Sequence, residues 1–97
     1  MAIKIVWTPR ALAGFEEIIT YIESNWTEAE VQRFIDNTDH FLQLLAEYPQ
    51  LLQRSEKQQH VYRGAIDKHN ILTYRFNSEA NQIELLNIRA AKREPEE

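Results

Sequence analysis

The hydrophobic pattern of the chain changes character once, at Tyr48-Pro49. Before this point apolar residues recur at helical spacing. After it, short runs rich in β-branched and aromatic residues alternate with polar turns, which is typical of strands. Because proline cannot continue a helix, the pattern predicts a helical part followed by a sheet part. A further strand is predicted at the N-terminus over residues 3–7, where Ile3, Ile5 and Trp7 share one face.

Two helices are predicted between the first strand and Pro49. Thr8 followed by Pro9 is a helix-start signal, and apolar residues at helical spacing extend the first helix over residues 9–24. Thr27 and Glu30 match the T-x-x-E capping box, so a second helix is expected over residues 28–47. The loop between them is short, which predicts an antiparallel helical hairpin.

Three strands are predicted after the helices, over residues 60–66, 71–77 and 82–89. Short polar turns separate them, so they should form a three-stranded antiparallel meander. The first strand must join this meander, either at an edge or centrally. The sequence therefore predicts one α+β domain over residues 1–97, with both helices on one face of the sheet and the other face free to bind.

Charge is distributed unevenly along the chain. The net charge is −4, yet residues 1–50 carry three basic and eight acidic groups, whereas residues 57–93 carry seven basic and three acidic groups. The sheet half can therefore present a cationic face although the whole protein is anionic. The chain has no cysteine, no metal-ligand spacing, no phosphate-binding glycine motif and no apolar run of membrane-spanning length. A soluble cytoplasmic protein without metal or cofactor is expected.

Several segments together resemble the RelE/ParE family of toxins from bacterial toxin–antitoxin modules, also called plasmid stabilisation systems. The resemblance covers almost the whole chain. It rests on five segments: Trp7-Thr8-Pro9-Arg10-Ala11, Tyr21-Ile22, Arg63, Ile71-Leu72-Thr73-Tyr74-Arg75, and the basic end from Ile88 to Pro95. It implies a β-α-α-β-β-β fold, growth inhibition as the activity, and a cognate antitoxin as partner. It also implies DNA gyrase or the ribosome as target.

The departures from the RelE branch decide which target is favoured. Ribosome-dependent ribonucleases of that branch place lysines where this chain has Tyr62 and Gly64, and an arginine where it has Ile71. Arg93 matches their closing arginine. We therefore expect a ParE-like inhibitor of a macromolecular target such as DNA gyrase. The alternatives are a RelE-like mRNA endoribonuclease, or a family member that has lost activity and serves as a binding protein.

The candidate functional residues are mainly cations of the sheet half: Arg63, Lys92 and Arg93, with His60 as a weaker candidate. RNA cleavage would need a base, a proton donor and cations around the phosphate. Histidine is the usual side chain for such proton transfers, and the sheet half contains two of them, His60 and His69. Arg63 could instead pair with a helix glutamate. The sequence leaves open whether the protein is an enzyme.

Overall fold

The computed structural model describes residues 3–91 and contains two helices and a five-stranded sheet. In chain order the elements are β1 (Lys4–Trp7), α1 (Pro9–Asn25), α2 (Glu28–Glu47), β2 (Gln53–Arg54), β3 (Val61–Ala65), β4 (Asn70–Asn77) and β5 (Gln82–Ala90). The predicted α+β order is confirmed, and each predicted boundary lies within one residue of the observed one. The prediction of only three strands after the helices was incomplete, because the two-residue β2 is too short to produce an alternating pattern.

The strands follow the order β1-β5-β4-β3-β2 across the sheet. The predicted meander of β3, β4 and β5 is confirmed as antiparallel, and β2 adds an antiparallel edge beside β3. β1 pairs in parallel with β5 and forms the opposite edge. A parallel neighbour requires a crossover connection, which α1 and α2 supply.

Threonine caps fix the start of both helices, as the sequence predicts. The Thr8 hydroxyl accepts a hydrogen bond from the Ala11 amide at 3.2 Å, and the Thr27 hydroxyl accepts one from the Glu30 amide at 3.3 Å. Glu30 Oε2 accepts a hydrogen bond from Arg33 at 3.3 Å, so this carboxylate is engaged along its own helix. Each cap satisfies an amide that has no partner within the helix.

The hydrophobic core lies between the helices and one face of the sheet. Cross-strand partners share a face, so the register places Tyr62, Tyr74 and Leu85 side by side toward the helices. The core cluster consists of Ala11, Ile18, Phe34, Leu45, Tyr62, Leu72, Tyr74, Ile83, Leu85 and Ile88. Within residues 3–91, neither helix is long and apolar enough to span a bilayer.

The strand residues that alternate with this core form the opposite face of the sheet, here called the outer face. It comprises Lys4, Val6, Gln53, Val61, Arg63, Ala65, Ile71, Thr73, Arg75, Asn77, Gln82, Glu84, Asn87 and Arg89. The register between β4 and β5 shifts by one residue between Thr73 and Tyr74, so Leu86 has no partner in β4. This shift moves Asn87 and Arg89 to the outer face, because a one-residue change of register exchanges the two faces.

Candidate functional site on the outer face

Arg63 lies in the middle of β3 with its side chain on the outer face, away from both helices. Its register partners are Gln53 in β2 and Thr73 in β4. The residue is exposed, and its guanidinium has no ion-pair or hydrogen-bond partner among residues 3–91. The alternative in which Arg63 pairs with a helix glutamate is therefore wrong, because the sheet itself separates Arg63 from the helices.

Arg63 belongs to a row of polar side chains that crosses four strands. The register places Gln53, Arg63, Thr73 and Asn87 next to one another, one from each of β2, β3, β4 and β5. Neighbouring strands lie about 4.8 Å apart, so this polar row is roughly 14 Å long. In the described part of the chain, none of the four side chains has a hydrogen-bond partner. The row therefore offers its donors and acceptors to solvent or to a ligand.

Two further arginines flank the polar row. Arg75 donates to Glu84 Oε1 at 3.2 Å, and both residues occupy the neighbouring row on one side. Arg89 lies on the other side, paired in register with Ile71. Lys4 adds a fourth cation at the β1 edge of the same face. Since Glu84 is engaged by Arg75, the outer face is cationic, as the charge distribution of the sequence predicts.

The two histidines of the sheet half lie at opposite ends of the β3–β4 hairpin. His60 precedes β3, and its carbonyl accepts from the Phe76 amide at 2.9 Å. His69 precedes β4, and its carbonyl accepts from the Ala91 amide at 2.7 Å. Strand geometry separates them by roughly 20 Å. They cannot act on one phosphate as a base and acid pair.

The His60 backbone adopts a left-handed conformation with φ 65°. A residue other than glycine is uncommon there, although histidine tolerates it better than most. The exposed side chain stands at the entrance to β3, three residues before Arg63. Its position fits a turn residue, and a catalytic role for His60 stays a prediction without geometric support.

Tyr74, which lies in the Ile71–Arg75 segment that carries the resemblance, is a core residue. It is fully buried, stacks on Tyr62 with ring centroids 5.2 Å apart, and its hydroxyl donates to the Pro49 carbonyl at 2.7 Å. Burial raises the pKa of Tyr74 to about 12, although the Leu52 amide hydrogen bond acts in the opposite direction. A phenol held neutral in the core does not exchange protons with a substrate near pH 7.

The two other predicted cations, Lys92 and Arg93, lie outside the described residues. Their role as functional residues stays a prediction. The sequence reasoning also missed Gln53, Thr73 and Asn87, which are uncharged and become a group only through the register. The alternation of Thr73 with the apolar Leu72 and Tyr74 was the one signal for an outward position.

Fork-shaped guanidinium groups and neutral amides suit an anionic ligand such as a carboxylate or a phosphate. The outer face therefore has the chemistry of a binding surface. Across residues 3–91, no cluster of three or more histidine or acidic side chains could hold a metal ion. The arrangement of described residues can bind and orient an anion, but it does not bring the two histidines of the sheet half together as a base and a proton donor.

Comparison with known proteins identifies the family. A family model described as the ParE toxin of the type II toxin–antitoxin system parDE matches residues 5–95. The solved structure of the chromosomal ParDE toxin–antitoxin system from P. aeruginosa is 14% identical, with 91% of this chain and 95% of that chain covered and a TM-score of 0.73.

The toxin–antitoxin complex RelBE2 from Mycobacterium tuberculosis has a TM-score of 0.63 at 10% identity, with 93% of this chain and 99% of that chain covered. At such identities these two similarities show the shared fold. No curated protein matches the chain in sequence. The family match over nearly the whole length, on the fold described above, shows that the chain belongs to the ParE toxin family of type II toxin–antitoxin systems.

Proposed function

We propose that the chain is a ParE-like toxin that is held by a cognate antitoxin and inhibits a macromolecular target such as DNA gyrase by binding it. The toxin acts in the cytoplasm, inhibits growth and so contributes to plasmid stabilisation. On this proposal the outer face contacts a protein and performs no chemistry of its own.

The observation that carries the proposal is the distance between the two histidines of the sheet half, which leaves Arg63 without a nearby histidine pair. Cleavage of RNA by 2′-hydroxyl attack needs a base and a proton donor at one phosphate. Arg63 lies within a neutral polar row, and the two histidines lie at opposite ends of the β3–β4 hairpin. The positions where the RelE branch keeps lysines hold Tyr62, which is buried in the core, and Gly64, which packs against Leu52.

The proposed antitoxin partner is supported by the two similar solved structures, both of which are of toxin–antitoxin systems. Exposed apolar side chains support it as well. Tyr48 is 57% exposed, and Leu44 and Leu51 are exposed beside it at the C-terminal end of α2. Soluble monomers seldom leave such apolar groups uncovered together. Covering them is a natural role for a wrapping segment of a partner.

The functional patch is proposed to consist of Arg63, Lys92 and Arg93. Arg63 is exposed and lacks a partner among residues 3–91, so its loss should affect binding more than folding. Arg33 on α2 is a matched control, because it too is an exposed arginine, with an ion pair only to Glu30 on its own helix.

Growth inhibition on induced expression tests the proposal. Arg63→Ala and the double variant Lys92→Ala/Arg93→Ala should inhibit growth less than the wild-type protein, whereas Arg33→Ala should inhibit as strongly. Melting temperatures of all variants should stay within about 2 °C of the wild type, since exposed charges contribute little to stability. A wild-type chain that is harmless when expressed alone would overturn the toxin proposal.

A second candidate is a RelE-like ribosome-dependent ribonuclease, favoured by the shared fold of the RelBE2 complex and by the position of Arg93. A third is a binding protein without toxicity. The net charge of −4 weighs against docking on ribosomal RNA, because affinity for phosphate chains comes mainly from lysine and arginine.

A further inference from the structure

We infer that the polar row of Gln53, Arg63, Thr73 and Asn87 binds a carboxylate side chain of an acidic protein segment that lies on the outer face. The inference rests on the proposed function in one respect, that this chain works through protein partners. It specifies what the outer face recognises and where on that face the contact is made.

The row is unusual because its polar groups are all available. Other polar side chains of β4 and β5 are engaged: Arg75 bonds Glu84, Gln82 bonds Glu84, and Asn77 accepts from the Ala80 amide. In contrast, the four side chains of the row make no hydrogen bond within residues 3–91. They present a guanidinium fork, a hydroxyl and two carboxamides, which together supply many N–H and O–H donors and suit an acceptor-only group.

Charge determines which ligand is attracted to this face. The strand residues of the outer face include four cations and one carboxylate, and that carboxylate is already paired with Arg75. The helical layer on the other side, residues 9–47, carries two basic and eight acidic groups. An acidic segment is therefore attracted to the outer face and repelled by the helices, which fixes the side on which it binds.

A carboxylate fits the row better than a nucleic acid does. Polyanion binding draws its affinity from many cations that track successive phosphates. The row has a single cation, Arg63, flanked by neutral donors, and in the next row Arg75 is already paired with Glu84. One carboxylate can accept the forked bond of Arg63 together with a bond from Thr73 or Gln53, its two register neighbours.

The inference is tested by an NMR titration of the full-length chain at low ionic strength with a synthetic peptide of alternating glutamate and serine. The same peptide with glutamine in place of glutamate, and an oligouridylate of equal length, are the comparison ligands. The glutamate peptide should shift the side-chain resonances of Arg63, Gln53 and Asn87, and the glutamine peptide should not. Arg63→Gln should weaken binding about tenfold, with Arg63→Lys between the two, because lysine keeps the charge but loses the fork.

Arg33→Gln is the control and should bind the glutamate peptide as the wild type does. Binding that is unchanged in Arg63→Gln, or shifts confined to the helices, would overturn the inference. Stronger shifts of the same resonances with the oligouridylate would also overturn it, in favour of a phosphate ligand. Carboxylate binding by a chain that does not inhibit growth would overturn the proposed function and leave the inference standing.

Discussion

At the scale of single residues, Tyr74 connects the sheet to the segment that follows α2. Its hydroxyl donates to the Pro49 carbonyl and accepts from the Leu52 amide, and the ring is fully buried. Tyr74→Phe would leave these backbone groups without their partner. We expect a loss of about 1–3 kcal/mol in the free energy of unfolding, measured by urea denaturation. Tyr48→Phe is the control, since Tyr48 is largely exposed and should change stability little.

The buried phenol of Tyr74 is expected to make the free energy of unfolding depend on pH. Burial raises the pKa of Tyr74 to about 12 from the ordinary value of 10.0, so the folded state favours the neutral phenol. A raised pKa contributes stability that is complete below about pH 10 and is lost as pH rises toward 12. The wild type should therefore lose up to about 2–3 kcal/mol over this window relative to Tyr74→Phe. If the free energy of unfolding depended on pH in the same way for both proteins between pH 9 and 12, the buried, neutral phenol would be contradicted.

Gly14 is required by the close approach of α1 to β5. A methyl group at this position would overlap the backbone carbonyl oxygen of Ile88. Alanine normally stabilises a helix relative to glycine by about 1 kcal/mol, yet Gly14→Ala should destabilise this protein by about 1–3 kcal/mol because backbone cannot yield as a side chain can. Ser24→Ala, at an exposed site of the same helix, should be neutral or stabilising. Thermal denaturation compares the two variants.

At the scale of elements, Thr8 holds three of them together. Its hydroxyl donates to the Leu85 carbonyl of β5 at 2.6 Å, and accepts from the Ala11 amide at the start of α1, directly after β1. Thr8→Ala should therefore cost about 1–2 kcal/mol of unfolding free energy, at the upper end of the range for a lost helix cap. Thr27→Ala, where the cap is exposed, should cost about 0.5–1 kcal/mol. Equal losses for the two variants would argue that the Leu85 bond contributes nothing.

The sequence predicted both helices and the four longer strands well because each of them has a local signal. Thr8-Pro9 and Thr27 mark the helix starts, and Pro49 follows the end of α2 closely. The parallel edge position of β1 has no local signal, since it depends on where the helical crossover returns the chain. The short β2 forms because Tyr74 and β3 hold the segment after Pro49 in place. These are tertiary contacts, which the hydrophobic periodicity of the sequence does not reveal.

The residues of the outer face were less predictable from sequence, because their positions also depend on how the strands pair. Simple alternation from Leu85 would turn Asn87 and Arg89 toward the core and Ile88 outward. The register shift beside Leu86 reverses this, which buries Ile88 and brings Asn87 and Arg89 to the outer face. Arg63 could be selected from sequence because it is a charge within a strand, but its neighbours depend on pairing that only the structure provides.

At the scale of the whole molecule, the fold separates two charge environments across one sheet. Acidic groups predominate on the helices, and cations predominate on the outer face, with Arg63 unpaired among residues 3–91. This separation explains how a protein with a net charge of −4 can present a cationic surface. The two histidines of the sheet half lie at opposite ends of the β3–β4 hairpin, so the surface between them is suited to binding.

The most direct test of binding without cleavage is a DNA gyrase supercoiling assay run in parallel with an in vitro translation assay, using the same preparation of the purified chain. We expect supercoiling to be inhibited in proportion to the amount of chain added, while translation proceeds and the mRNA stays intact. Arrested translation with specific mRNA cuts on the ribosome, and unaffected supercoiling, would contradict the account and assign the chain to the ribonuclease alternative.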